Sequence, residues 1–223
     1  MTNTLDRWPA AAGMVAAPFY LSLVVVLGAL EPGFSHLTEP MSVLGGAPGP
    51  RGLAFNLGVA TTGALIIAFG VGLRRRLPPK TSARIGFLLL VIGGLGLIGA
   101  AYFHCSEGCR NILIEPDLVG RLHIAFSLLG GMGTGLAPFF VWSAMRGNEN
   151  WKDLVTPTLV AAFLANLPGV TFWITIASGF RLSSIEGLIQ RLGFLIVLIW
   201  VFFVARRLWG LTNSESRSGG ARG

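Results

Sequence analysis

Three histidines, His36, His104 and His123, are the side chains of this sequence best suited to acid–base chemistry or metal binding. Imidazole titrates near neutral pH and is a common zinc ligand, and nearby carboxylates such as Glu39 and Asp117 could complete a ligand set. The histidines are not at a helical ligand spacing, so a metal site would require separate segments to fold together. The sequence therefore assigns no metal ligands and identifies no cofactor.

A second group of polar residues lies at the ends of apolar segments. Together with two of the histidines, it comprises Ser42, Asn56, His104, His123, Gln190 and Arg191. Gln190 and Arg191 lie inside an apolar segment, where solvent alone is not expected to satisfy them. Because polar side chains facing lipid would lack partners, we expect the group to line one cavity roofed by residues 42–45. A purely structural role is the alternative.

Two pairs of residues share a helix face at i,i+4 spacing. Asp117 and Arg121 are predicted to form a structural ion pair at the start of an apolar segment. His123 and Ser127 follow in the same segment and also share a face.

The two cysteines, Cys105 and Cys109, lie four residues apart in one polar loop. Two thiolates alone leave a zinc site incomplete. We expect this loop to face an oxidising compartment, where a disulfide is favoured. A free pair of thiols is the alternative.

The elements that must position these residues are long apolar segments. The chain of 223 residues is 52% hydrophobic and 12% charged, whereas soluble domains carry about 25% charge. Apolar segments of about 20 residues can span a bilayer as helices, and the candidates are residues 9–30, 53–73, 83–104, 118–145, 154–178 and 185–208. We predict an all-α polytopic bundle of six transmembrane helices over residues 1–211, followed by a disordered cytoplasmic tail over 212–223.

The distribution of basic residues predicts the orientation of the chain in the membrane. Lys and Arg are enriched in the cytoplasmic loops of membrane proteins. One side carries twelve of the seventeen, Arg7, Arg74, Arg75, Arg76, Lys80, Arg84, Arg146, Lys152, Arg206, Arg207, Arg217 and Arg222. The other carries five, Arg51, Arg110, Arg121, Arg181 and Arg191. Both termini are then cytoplasmic and residues 31–52 lie outside. The enrichment of basic residues on the cytoplasmic side accounts for the net charge of +7. This charge therefore does not indicate a nucleic-acid partner.

Several motifs resemble those of an uncharacterised prokaryotic membrane family, domain of unknown function 998. They are MSVLGGAPGPRGLAFNLG at residues 41–58, Phe-His at 103–104, Gly-Arg-Leu-His at 120–123 and Gly-Leu-Ile-Gln-Arg at 187–191. The resemblance extends to about residue 208 and implies a six-helix membrane protein without an established activity. The segment after the first helix is more distantly similar to the Frag1/DRAM group, some of whose members are linked to lipid-anchor remodelling.

Three classes of function remain open at this stage. The first is a pocket on the outer side of a prokaryotic plasma membrane that binds or senses a membrane lipid or a small molecule. The second is a membrane hydrolase or transferase acting on lipid, with or without a metal. The third is a transporter, which ranks lower because only Pro168 suggests the broken helices of that class. The sequence does not determine the oligomeric state.

Overall fold

A computed structural model describes residues 7–104, 117–177 and 184–220. These residues form α1 (Trp8–Leu30), α2 (Ser42–Gly45), α3 (Pro50–Arg76), α4 (Thr81–Tyr102), α5 (Leu118–Met145), a 3₁₀ turn (Glu149–Trp151), α6 (Lys152–Ala177) and α7 (Glu186–Gly220). Six of the helices, all except α2, are long and apolar enough to cross a membrane. The chain is therefore an all-α multi-pass membrane protein, as the sequence predicts. The predicted disulfide between Cys105 and Cys109 lies outside the described residues.

The last helix differs from its predicted length. It continues through residues 212–220, where the Ser- and Gly-rich sequence predicts disorder. The Thr212 and Ser214 hydroxyls donate hydrogen bonds to the carbonyls of Trp209 and Leu211 at 2.8 and 3.0 Å. Extending an existing helix is much easier than starting one, because each added residue gains a hydrogen bond without a new nucleation cost.

The six long helices form a closed ring. Each packs against the helices before and after it in the chain, and α7 packs back on α1 while also contacting α3 and α5. The short connections at residues 77–80 and 146–151 favour this order, because they place consecutive helices side by side and antiparallel. We call the end that carries residues 31–49 the loop end and the opposite end, with residues 74–76, the basic end. Arg7 lies over the Trp209 ring at 6.0 Å, so α1 begins beside α7 at the basic end.

The half of the bundle at the basic end has a packed core. The Phe69 and Trp200 rings meet edge to face with centroids 6.3 Å apart. The Trp200 indole N–H donates to the Thr158 hydroxyl at 3.2 Å. The Trp151 side chain is fully buried, and its N–H donates to the Arg76 carbonyl at 3.3 Å. Polar atoms in this half are thus satisfied within the protein, and aromatic rings fill its centre.

Helices α4 and α5 meet along glycines that let their backbones touch. A Cβ on Gly96 would collide with the backbone of Gly130. One turn further towards the basic end, a Cβ on Gly133 would lie 2.5 Å from the Gly93 nitrogen and 2.7 Å from the Leu89 oxygen. Small residues at such contacts are typical of membrane helices, where close van der Waals packing replaces the hydrophobic effect between helices.

We predict that Gly133→Ala destabilises the protein by about 1–3 kcal/mol, because the added methyl can be accommodated only by separating two backbones. Gly131→Ala is the matched control, since no atom lies within 4 Å of a Cβ at that position. Alanine there is expected to be neutral or slightly stabilising. Thermal unfolding of both variants in one detergent measures the difference. Equal melting temperatures would show that the α4–α5 contact is looser than described.

Candidate functional site

A cavity of about 600 Å³ lies in the loop-end half of the bundle. Side chains from all six long helices and from α2 line it, and most of them are apolar. Small-molecule sites in proteins typically measure about 300–1,000 Å³ and combine apolar walls with a few polar groups. The volume of this cavity lies within that range, and its lining combines many apolar side chains with a few polar ones.

Five of the six residues predicted to share a cavity line this one, namely Ser42, Asn56, His104, His123 and Gln190. Arg191 does not line it. The Arg191 side chain instead points to residues 34–39, on the far side of the roof. The adjacent positions Gln190 and Arg191 thus face different surroundings, because neighbours in a helix are about 100° apart.

The roof of the cavity consists of residues 37–45, which fold back over the end of the bundle. Gln190 Oε1 accepts a hydrogen bond from the Met41 backbone N–H at 2.6 Å. Asn56 Nδ2 donates to the Gly45 carbonyl at 2.9 Å. The Leu188 N–H, at the start of α7, donates to the Leu37 carbonyl at 3.0 Å. Helices α3 and α7 therefore hold the roof through its backbone polar groups.

Arg191 anchors the same segment from its outer side. Its Nη1 donates to the Glu39 carbonyl at 2.7 Å, and its guanidinium lies 5.3 Å from the centre of the Phe34 ring. Among the described residues, neither Nε nor Nη2 has a hydrogen-bond partner, although both atoms are buried. Gly187 permits this approach, since a Cβ there would collide with the Glu39 backbone.

His123 joins α5 to the end of α4. Its Nδ1 lies 3.0 Å from the Ala100 carbonyl oxygen and 3.1 Å from that of Phe103. A carbonyl can only accept, so Nδ1 carries the proton and Nε2 has a free lone pair. Nε2 lies 3.4 Å from the Ser127 hydroxyl oxygen, and both side chains line the cavity.

One side of the cavity opens to the outside of the bundle, between α5 and α6. Met132, Val170 and Ile174 line the cavity, yet they are 58%, 54% and 61% exposed. Gly131 and Gly169 border the same space, and no atom lies within 4 Å of a Cβ at either position. In the part of the chain that the structure describes, these exposed residues lie on α5 and α6, two of the helices long and apolar enough to cross a membrane.

The sequence suggested histidines and carboxylates as possible metal ligands. In the described part of the chain, no three His, Cys, Asp or Glu side chains lie close enough together to hold a metal ion. His36 packs against the Phe34 ring at 5.1 Å. Partial desolvation and then the charge of Arg191 lower the pKa of His36, so both disfavour its protonated form. Glu39 accepts a hydrogen bond from the Ser35 N–H at 2.9 Å.

Asp117 acts as the N-cap of α5. Its carboxylate accepts a hydrogen bond from the Gly120 N–H at 2.7 Å, which satisfies one of the free donors at the helix start. The ion pair between Asp117 and Arg121 stays a prediction.

Four polar residues of the cavity wall were missing from the predicted site, namely Tyr20, Ser127, Thr134 and Asn166. Asn166 lines the cavity near the middle of α6, and its Nδ2 donates to the Gly135 carbonyl at 2.8 Å. The sequence could have indicated this, because an amide side chain within an apolar helix needs a hydrogen-bond partner on a neighbouring helix. Tyr20 is buried below the roof, with its hydroxyl 3.4 Å from the Met41 sulfur. Tyr20 lies near the middle of the apolar segment 9–30, where a hydroxyl group is a sign of a buried polar partner.

We predict that Arg191→Gln loosens the roof, because it removes a charge-assisted hydrogen bond worth about 1.5–3 kcal/mol. Amide hydrogen exchange over residues 37–45 should accelerate by roughly ten- to a hundredfold. Arg206→Gln, on the exposed face at the other end of α7, is the matched control. Unchanged exchange in Arg191→Gln would mean that the other hydrogen bonds suffice to hold the roof.

Comparison with known proteins gives one match. The sequence model of the family described as "Protein of unknown function (DUF998)" matches residues 14–207. No curated protein and no solved structure matches the chain, and the distant similarity to the Frag1/DRAM group stays a prediction. The match includes the residues that line the cavity and reaches well into all six long helices. The chain therefore belongs to the DUF998 family.

Proposed function

We propose that this protein binds one amphipathic membrane lipid in the loop-end cavity. The proposal rests on the opening between α5 and α6. There, Met132, Val170 and Ile174 line a mostly apolar cavity and are each more than half exposed on the outer surface of the bundle. A lipid can enter there with its acyl chain along the apolar wall. Its polar part then lies towards the roof, close to Ser42, Asn56 and Gln190.

Energetics suggest that the polar groups determine which lipid binds. An acyl chain that leaves the bilayer for an apolar cavity exchanges one apolar environment for another, so it gains little free energy. Hydrogen bonds to the polar part of the lipid form where water is scarce and an unpaired group is costly. His104 and Ser42 line the cavity without a described hydrogen bond from their side chains, so they are available to a ligand.

We further propose that the protein lies in the plasma membrane of a prokaryote with both termini in the cytoplasm. The basic end carries Arg74, Arg75, Arg76 and Arg146 among others, and such residues favour the cytoplasmic side. The cavity then opens into the outer leaflet, and its ligand is a lipid of that leaflet.

The lipid site can be tested by filling its entrance. We expect Gly131→Phe and Gly169→Phe to reduce the fraction of protein that retains a phospholipid by at least tenfold, measured by native mass spectrometry in a mild detergent. Gly210→Phe is the matched control, because its Cβ also points into open space but lies far from the cavity. Retention of one phospholipid by all three variants would contradict the proposed site.

The orientation can be tested with reporter fusions truncated after Lys80 and after Asp117. We expect a cytoplasmic reporter signal for the first and an external signal for the second, because the two positions follow transmembrane helices of opposite direction. Full-length insertion is checked by immunoblotting. Signals on the same side would exclude this topology.

A further inference from the structure

We infer that Ser127 and His123 form a nucleophile–base pair that acts on an ester of the bound lipid. The inference rests on the proposed lipid site, because the lipid is the substrate. It assigns a reaction class, acyl transfer from a lipid ester, to one end of the cavity. The hydroxyl and the imidazole both line the cavity, at i,i+4 on one face of α5.

The imidazole is held in the tautomer that a general base requires. Two backbone carbonyls, of Ala100 and Phe103, fix the proton on Nδ1. They also fix the orientation of the ring, which is the task of the third group in a catalytic triad. Nε2 is left as an acceptor that faces the Ser127 hydroxyl at 3.4 Å. Such contacts are often loose before substrate binds and tighten in the complex.

The Ser127 hydroxyl differs from four threonine hydroxyls within the helices. Those of Thr61, Thr62, Thr134 and Thr171 donate to the carbonyl four residues earlier in the same helix. This bond is the usual way to satisfy a hydroxyl in an apolar helix. For Ser127, the described partner is His123 Nε2. Its proton is therefore directed at a base.

Space for a reacting group adjoins the pair. Gly131 lies one turn deeper than Ser127 on the same face of α5, and no atom stands within 4 Å of a Cβ there. The side opening borders this space at Met132, which is 58% exposed. An ester carbonyl entering between α5 and α6 would pass Gly131 and reach Ser127. His104 lines the same cavity.

The reaction has two balanced steps. Ser127 Oγ attacks the ester carbonyl carbon while His123 Nε2 takes the hydroxyl proton. The bond between this carbon and the alcohol oxygen then breaks, and the imidazolium returns the proton to the leaving alcohol, which leaves an acyl group on Ser127. In the second step, a water or the hydroxyl of another lipid attacks the acyl carbon, His123 takes its proton, and Ser127 Oγ leaves with that proton.

The test uses the full-length protein in detergent and a fluorophosphonate probe with a long alkyl chain. The probe reacts with an activated serine, and peptide mapping by mass spectrometry locates the adduct. We expect one adduct on Ser127, none with Ser127→Ala, and labelling at least a hundredfold slower with His123→Gln. Ser143→Ala, in the other half of the same helix, should be labelled like the wild type.

Phospholipid retention, measured on the same samples, separates the two proposals. Wild-type protein that retains phospholipid but gives no adduct on Ser127 would overturn the nucleophile–base pair and leave the lipid site standing. Absence of retained phospholipid from wild-type protein would instead count against the lipid site itself. Because His123→Gln also disturbs the contact between α4 and α5, its melting temperature is measured, and if it unfolds the comparison of Ser127→Ala with Ser143→Ala decides.

Discussion

The cavity exists because residues 37–45 can cover an apolar bundle without leaving their backbone polar groups unsatisfied. A non-helical backbone at the end of a membrane bundle needs partners for its N–H and C=O groups. Gln190, Arg191 and Asn56 supply them by side-chain hydrogen bonds to Met41, Glu39 and Gly45. Without these contacts the segment would be expected to leave the bundle, and the space below it would open to water.

The two halves of the bundle perform different tasks. At the basic end, aromatic rings such as Phe69 and Trp200 fill the centre. At the loop end, the same ring of helices encloses a cavity of about 600 Å³. Between α4 and α5 the backbones touch through glycines, whereas Gly131 of α5 and Gly169 of α6 border open space. In the described part of the chain, the cavity is therefore bordered by exposed side chains between α5 and α6 and by packed aromatic rings towards the basic end.

His123 connects the stability of the bundle with its proposed chemistry. By donating to carbonyls at the end of α4, it satisfies acceptors that a helix terminus leaves free. The same bonds leave Nε2 as a hydrogen-bond acceptor for a hydroxyl that lines the cavity. A structural histidine needs only the first of these features. The unusual partner of Ser127 and the free space beside Gly131 are what favour a chemical role.

Much of this protein follows from its sequence alone, because membrane-spanning helices must satisfy their own backbone and so appear as long apolar segments. The bounds of α5 and the number of long helices are examples. Gln190 and Asn56 could also be expected to face inward, since lipid offers them no partners. Only the tertiary structure decided which of two adjacent residues faces the cavity. Gln190 lines it and Arg191 does not. The tertiary structure also decided that α5 packs more closely on α4 than on α6. Glycines occur in both places, and only the facing helix determines whether a glycine allows contact or borders a cavity.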